Sequence, residues 1–278
     1  MSDFIAFDGT RLTYHVLGEG NPVIVLPGGP MQDSAYLGDL GGLSARLRLI
    51  RFDLRGTGES PTDDLASCRC DRLVDDVEAL RKHLGHDQVD LLGHSAGCNL
   101  AVLYAARYPE RVRALVLVTP SVYAVGITIS PDVRRAVISR REGEPWHGQV
   151  SAAFESIAAG EGSVEDWEAL VPFSYGRWDA AARAHHAAGE LQRNPDAAAA
   201  YAAEGAFSPA STRAALGALG APVLVVAGDH DLSAPAAAAA ELASLFAESQ
   251  LVTLAGGGHF PWLDDADWFV STVAGFLV

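Results

Sequence analysis

A serine between two glycines is the first candidate for chemistry in this chain. The run GHSAG at residues 93–97 follows a short apolar stretch, Val89–Leu92, and opens a helical pattern. A serine on a sharp turn from strand to helix needs small residues two positions before and two positions after it, because larger side chains would clash, and Gly93 and Gly97 meet that need. The N–H groups at the start of the helix would favour negative charge near the Ser95 hydroxyl. The pattern predicts a nucleophile at Ser95, and a glycine-rich turn kept for packing or phosphate binding is the alternative.

A serine hydroxyl becomes a nucleophile beside a base that a third group orients. We predict His259 as the base, because it lies in the glycine-rich loop that follows the strand pattern at residues 250–254. The loop GDHD, which follows the strand pattern at residues 222–227, offers Asp229 and Asp231 as the acid. Asp231 is preferred, since a carboxylate needs a few residues beyond the strand to reach an imidazole, and Asp229 is the alternative. The carboxylate that does not contact the histidine would cap the helix that follows.

The other histidines lack such a setting. Apart from His259 and the histidine inside the serine motif, they stand at helical or loop positions without a partner pattern, as His83, His86, His185 and His186 do. We expect them to be solvated surface side chains.

A carbonyl under attack develops an oxyanion, which needs two N–H donors. The first donor is predicted to be the backbone N–H of Ala96, directly after the serine. The second is expected from the loop PGGP at residues 27–30, because glycines let a backbone approach a substrate closely. We predict the N–H of Gly29 for this role, since the proline after it has none, and Gly28 is the alternative. A plain turn is the competing interpretation of this loop.

The elements that must hold these residues alternate between strand and helix. Strand patterns cover residues 12–17, 22–26, 47–52, 89–92, 114–118, 222–227 and 250–254, and helical patterns cover 71–84, 97–108, 235–246 and 265–277. Several strands are almost continuously apolar, which is typical of strands covered on both faces in a parallel sheet. This alternation predicts an α/β fold with helices on both sides of the sheet.

Residues 121–218 interrupt the alternation, since they are rich in alanine and contain no strand-like run. Helix starts recur there as a serine or asparagine followed by proline. We therefore predict a core domain made of residues 1–120 and 219–278, and a helical cap at 121–218 that covers the core as a lid without a deep core of its own. The loop DLRGTGES at residues 53–60 is predicted to be structural, with Asp53 and Arg55 tying neighbouring turns together.

The composition limits the classes of protein to which this chain can belong. Apolar residues make up 49% of the 278, enough for a sizeable core, and 35 acidic against 20 basic residues give a net charge of −15. This balance argues against partners such as nucleic acid and anionic membranes, which attract clustered lysine and arginine. No apolar run approaches the ~18 residues of a membrane span, and the N-terminus has no secretory signal, so a cytoplasmic location is expected. The three cysteines are expected to be reduced thiols, and neither a metal nor a cofactor is predicted.

The motifs together resemble the α/β-hydrolase fold family over essentially the whole chain. GHSAG, PGGP, DLRGTGES, GDHD and GGHFPW occur in the family's order and near its spacing. The resemblance implies a mostly parallel eight-stranded sheet, a helical cap inserted after the sixth strand, and a triad of Ser95, His259 and Asp231. GGP together with DLRGTGES is similar to the prolyl aminopeptidase branch, from which the chain departs at Pro27, where that branch has histidine, and at Ala96, where it has tryptophan.

The expected function is a cofactor-independent serine hydrolase that cleaves an ester or amide bond of a small, mostly apolar substrate through an acyl-enzyme. Trp146 and Trp178 from the cap, and Trp262 from the core, are candidate pocket residues. The alternatives are a prolyl aminopeptidase-like exopeptidase, a carbon–carbon bond hydrolase with the same triad, and a binding protein that keeps the fold without turnover. An aminopeptidase would hold the substrate ammonium with cap carboxylates. The candidates are Glu161, Glu165, Asp166, Glu168, Asp179, Glu190 and Glu204.

Overall fold

The computed structural model of the protein describes all 278 residues. The strands are β1 (Ser2–Ile5), β2 (Arg11–Leu17), β3 (Pro22–Leu26), β4 (Arg48–Asp53), β5 (Val89–His94), β6 (Val112–Val118), β7 (Val223–Gly228) and β8 (Ser249–Leu254). They form one 8-stranded sheet in the order β1-β2-β4-β3-β5-β6-β7-β8. β2 runs antiparallel to β1 and β4, and all other neighbouring strands are parallel. The mostly parallel eight-stranded sheet is confirmed, although the sequence patterns missed β1, whose four residues include one buried side chain.

Eleven α-helices accompany the sheet. They are α1 (Cys70–His83), α2 (Gly97–Arg107), α3 (Pro131–Ser139), α4 (His147–Ala158), α5 (Val164–Ala169), α6 (Ala180–Glu190), α7 (Pro195–Tyr201), α8 (Pro209–Leu216), α9 (Ala236–Ala243), α10 (Pro261–Asp264) and α11 (Ala266–Leu277). None of these helices combines the length and the apolar character that a bilayer crossing requires. The three cysteines are unpaired thiols in the interior, as expected.

The alternating side chains of β3 show why its sequence is apolar throughout. Ile24 and Leu26 belong to a core cluster that includes side chains of α1, α2 and α9, whereas Val23 and Val25 belong to a second cluster that includes side chains of α11. Successive residues of a strand point to opposite faces, so a strand covered on both sides has no polar position. The sheet is therefore a rigid layer between two cores, and its carboxyl-end loops carry the candidate site.

The segment between β6 and β7 contains helices α3 to α8 and no strand. Three of its six helices, α3, α7 and α8, begin at the predicted serine–proline and asparagine–proline pairs. Asn194, for example, caps α7 by accepting a hydrogen bond from the Ala197 N–H at 3.1 Å. Its core is shallow, as expected: five buried side chains, among them Val137, Phe154 and Phe173, pack together with Leu232 from the loop after β7. We call residues 121–218 the cap hereafter; its status as a separate domain stays a prediction.

The loop at residues 53–60 has the structural role that the sequence predicted. Arg55 makes a bidentate ion pair with Asp76 on α1, at 2.7 and 3.0 Å, and a further pair with Asp8 at 2.8 Å. Asp53 accepts hydrogen bonds from the Ser34 hydroxyl at 2.5 Å and from the Glu59 N–H at 3.1 Å. These contacts tie the turn after β1, helix α1 and the loop after β3 to one another.

Candidate active site

Ser95 stands on a sharp turn between β5 and α2. Its φ of 53° lies in the left-handed region, which non-glycine residues rarely adopt. A Cβ added to Gly93 would lie 2.8 Å from the Gly97 carbonyl oxygen, and one added to Gly97 would press into the Leu26 carbonyl. The Ser95 N–H donates to the Val118 carbonyl at 2.9 Å, which anchors the turn to β6. The glycines of the motif are therefore required by the close approach of α2 to β3 and β5.

His259 lies against Asp231 and away from Asp229. The imidazole Nδ1–H donates to Asp231 Oδ2 at 2.6 Å, and Asp231 is completely buried. Asp231 Oδ1 accepts from the N–H groups of Ser233 and Ala234 at 2.8 and 2.9 Å, so this carboxylate also caps the turn that follows. Asp229 instead accepts from the Gly256 N–H at 2.6 Å. The geometry favours Asp231, the preferred carboxylate. The expectation that the other carboxylate caps the helix that follows was wrong, because Asp229 holds the Gly256 N–H and α9 has no side-chain cap.

The backbone of His259 is held beside the serine turn. Its carbonyl accepts from the Thr119 hydroxyl and from His94 Nε2, each at 2.9 Å, and its N–H donates to the Ser174 carbonyl of the cap at 2.9 Å. The rings of His259 and His94, the residue before Ser95, have centroids 4.9 Å apart. The hydrogen bonds of Ser95 all involve its backbone, and its hydroxyl makes none; catalytic hydrogen bonds often tighten only when a substrate binds.

Two backbone N–H groups near the serine have no acceptor in the protein. They belong to Ala96 and Gly29, the two predicted donors. The alternative donor, Gly28, gives its N–H to the Tyr36 hydroxyl at 2.7 Å. A Cβ on Gly28 would lie 2.8 Å from Ser95 Cβ and 3.3 Å from the Ala96 nitrogen, so the loop after β3 packs directly on the serine turn.

His94 and Tyr36 were not predicted to take part in the site. Tyr36 Oη lies 2.6 Å from His94 Nδ1, and both side chains are buried. Burial, together with the neighbouring His259, holds the pKa of His94 well below its usual value, so its imidazole is neutral. Burial also raises the pKa of Tyr36, which keeps the phenol protonated. The only sequence signal was the position of His94 inside the serine motif; Tyr36 carried none.

The expectation of a solvated surface position was wrong for His185. Its Nε2 donates to the Tyr36 carbonyl at 3.0 Å, and its Nδ1 lies 2.9 Å from the Tyr175 hydroxyl. Burial lowers the pKa of His185, as expected for a half-buried imidazole. The cause is a tertiary contact: α6 of the cap sits against the short turn that follows β3.

Further hydrogen bonds join the cap to the serine turn and to the loop after β3. The Tyr201 hydroxyl donates to the Ala96 carbonyl at 2.7 Å. The Asp33 N–H donates to the Gln192 carbonyl at 2.9 Å, and the Asn194 N–H donates to the Met31 carbonyl at 3.1 Å. Residues 189–194 therefore pair, strand-like, with the loop that contains Gly29.

Of the three candidate pocket tryptophans, Trp262 is wrongly assigned. It is 2% exposed and packs in the second core cluster, with its ring 4.8 Å from that of His94. Short helix α10 begins directly after Phe260 and turns the indole beneath the site. Phe260 itself lies among the site residues, with its ring 5.3 Å from His259.

Trp146 and Trp178 are half-buried within the cap. The Trp146 ring packs on Phe173, at 5.2 Å between centroids, and under the guanidinium of Arg141, at 4.4 Å. Trp178 packs on Tyr175 at 5.4 Å. Their contact with a substrate stays a prediction.

The chain is similar in sequence and in fold to known proteins. Residues 21–266 match the model of a family described as the alpha/beta hydrolase fold. A proline iminopeptidase of Heyndrickxia coagulans is 34% identical over 125 residues, which cover 44% of this chain and 43% of that protein, so the match spans less than half of the relative's length. The esterase RhEst1 from Rhodococcus sp. ECU1013 is 27% identical, with a TM-score of 0.73 and coverage of 99% of this chain and 98% of that one. The proline iminopeptidase of Mycobacterium smegmatis has a TM-score of 0.76 at 22% identity, covering 99% and 97%, which shows a shared fold.

Proposed function

The chain belongs to the alpha/beta hydrolase family, and from that premise we propose that it is a serine hydrolase that cleaves an ester or amide bond through an acyl-enzyme. The observation that carries the proposal is the 2.6 Å hydrogen bond between His259 and buried Asp231, on loops that flank the Ser95 turn. A carboxylate in this position fixes the tautomer of the imidazole, so that the free Nε2 is the basic nitrogen. Because both N–H groups of the predicted oxyanion hole lack acceptors, they are free to bind a developing negative charge.

The proposed reaction has two halves. In the first, Ser95 Oγ attacks the substrate carbonyl while His259 Nε2 takes the hydroxyl proton, and the oxyanion accepts hydrogen bonds from Ala96 and Gly29. Collapse of the intermediate breaks the bond to the leaving alcohol or amine, which leaves with the proton from Nε2. In the second half, His259 takes a proton from water, whose oxygen attacks the acyl carbon. The bond between the acyl carbon and Ser95 Oγ then breaks, Oγ takes the proton from His259 Nε2, and the carboxylic acid is released.

Asp231 contributes through its fixed position. Its carboxylate is fully buried, and its second oxygen is already satisfied by two backbone N–H groups. The carboxylate therefore stays in one orientation and stabilises the imidazolium that forms while the serine proton is on Nε2.

We propose a small, mostly apolar substrate without a required free amine. The aminopeptidase alternative is supported by the names of several relatives, but it needs cap carboxylates that face the substrate. Asp166 and Asp179 instead cap helices α5 and α6, and Glu190 pairs with Arg193 at 3.4 Å. The other four cap candidates, Glu161, Glu165, Glu168 and Glu204, are exposed.

The test is a substrate panel run beside a fluorophosphonate probe. Nitrophenyl esters of short and long acids are compared with a proline anilide and with its N-acylated form. We expect ester hydrolysis, probe labelling at Ser95, and loss of both in Ser95→Ala. The matched control is Ser244→Ala, which removes an exposed hydroxyl at the end of α9. Cleavage of the free-amine anilide alone would favour the aminopeptidase, and a wild-type protein that neither labels nor turns over would leave a binding role.

A further inference from the structure

Three hydrogen bonds form one continuous chain behind the proposed active site. The Gly28 N–H donates to Tyr36 Oη at 2.7 Å, Tyr36 Oη lies 2.6 Å from His94 Nδ1, and His94 Nε2 lies 2.9 Å from the His259 carbonyl oxygen. The chain joins the loop after β3, the serine turn and the loop after β8. Each of its backbone ends belongs to a residue of the site or to the direct neighbour of one.

The direction of every bond in the chain is fixed by chemistry. The His259 carbonyl can only accept, so His94 Nε2 carries the proton. Because the buried His94 imidazole is neutral, its Nδ1 has a lone pair and must accept. The Tyr36 hydroxyl is therefore the donor to Nδ1, and its oxygen is left to accept from the Gly28 N–H. All four groups are satisfied in one arrangement, and no other assignment of protons satisfies them.

This chain of hydrogen bonds is buried, so water cannot replace a partner that is removed. His94 is 2% and Tyr36 is 6% exposed, and the rings of Phe260 and Trp262 pack on His94 at 5.3 and 4.8 Å. A polar group that loses its partner in such a place stays unpaired. Trp262, which does not line a pocket, is thus part of the wall behind His94.

We propose that Tyr36 and His94 are positioning residues that hold the Gly29 donor and the His259 base in register with Ser95. The proposal rests on the proposed function. Tyr36 occupies the Gly28 N–H, which leaves the next N–H along the loop, that of Gly29, as the free donor. Since Gly28 packs directly on Ser95, a shift of Gly28 moves the donor relative to the serine.

The first test compares two Tyr→Phe substitutions that each remove one buried hydroxyl. Tyr36→Phe breaks the chain, whereas Tyr104→Phe breaks a bond between α2 and Glu78 on α1 and serves as the control. A displaced oxyanion donor acts on the transition state, so we expect Tyr36→Phe to lower kcat for an ester by about 10- to 100-fold with KM changed less than about threefold. Labelling of Ser95 by a fluorophosphonate should slow by the same factor. Equal rates in Tyr36→Phe and wild type, or equal losses in both variants, would overturn the proposal.

The second test measures the protonation of His94 in the hydrogen-bonded chain and needs no enzymatic reaction. In wild-type protein labelled with ¹⁵N-histidine, the ring nitrogens of His94 report its tautomer, and the assignment is made by the signal lost in His94→Gln. We expect a neutral ring with the proton on Nε2 at neutral pH. A doubly protonated ring there, or a neutral ring with the proton on Nδ1, overturns the chain. If the fluorophosphonate failed to label Ser95 in the wild-type protein, that result would instead count against the serine mechanism. The failure of this proposal and the failure of the proposed function are therefore distinguishable.

Discussion

Replacing Asp231 by asparagine should disable the base and leave the loop in place. The two backbone N–H groups on Asp231 Oδ1 require an acceptor, which the amide oxygen of asparagine provides. The amide NH₂ must then face His259 Nδ1, where the carboxylate now accepts at 2.6 Å. An NH₂ can only donate, so it selects the tautomer with the proton on Nε2, and that nitrogen can no longer take the serine proton.

The expected loss of activity follows from this change in the tautomer of His259. A base in the wrong tautomer costs about 10⁴ in kcat, which corresponds to about 5.5 kcal/mol of transition-state stabilisation. The cost to the free energy of unfolding should stay below about 2 kcal/mol, because both loop hydrogen bonds persist in neutral form. KM should change little, since Asp231 is buried behind the imidazole and does not reach the substrate.

The assay is steady-state hydrolysis of a nitrophenyl ester, with Asp229→Asn as the matched control. Asp229 lies on the same loop but holds the Gly256 N–H, so its variant should keep kcat within about fivefold of the wild type. Thermal unfolding of both variants checks that they are folded. If Asp231→Asn keeps more than a tenth of the wild-type kcat, or if both variants lose activity equally, the assignment of the acid is wrong.

Three further predictions test the scaffold. Arg55→Met leaves Asp76, which is 1% exposed, without its cation, and should lower the free energy of unfolding in urea by about 3–5 kcal/mol; adding Asp76→Leu should recover most of that loss, and no recovery would contradict a buried ion pair. Burial opposes ionisation of Glu78, but the hydrogen bonds from Arg81 outweigh it and lower the Glu78 pKa from 4.5 to about 2. That stabilisation is present above pH 4.5 and is lost as the pH falls towards 2, so Glu78→Gln should be less stable at neutral pH and have a shallower acid limb in a pH series of melts. Gly97→Ala drives a methyl group into backbone carbonyls at the end of β3 and should cost about 3 kcal/mol or abolish soluble expression; a melting temperature equal to wild type would refute the tight-turn argument.

Sequence reasoning located most of the candidate site because the motif and both partner loops follow apolar strands of a parallel sheet. Carboxyl ends of such strands meet at one edge, so residues far apart in the chain become neighbours there. The choice between Asp229 and Asp231 could not be made with certainty, since they differ by only two positions on one loop. Their side chains point to different partners only once the loop is folded.

The features that the sequence could not predict depend on tertiary contacts that leave no periodic signal in the sequence. The bond between Tyr36 and His94 joins residues 58 positions apart, and no periodicity relates them. Trp262 was misplaced because the short helix α10 turns its ring into the core, which a position three residues after His259 does not disclose. β1 was missed because four residues are too few for an alternating pattern to stand out.

The strand-like pairing of residues 189–194 with the Gly29 loop divides the cap into parts that tolerate change differently. Helices α3 to α5 make none of these backbone bonds and could be exchanged for those of another hydrolase to alter which molecules are accepted. The stretch that pairs with the loop, together with Tyr201, is bonded to the backbone that carries both proposed donors. A chimera should therefore keep the host's own residues from 189 to 201, and natural divergence of substrate choice in this lineage is expected to concentrate ahead of that stretch.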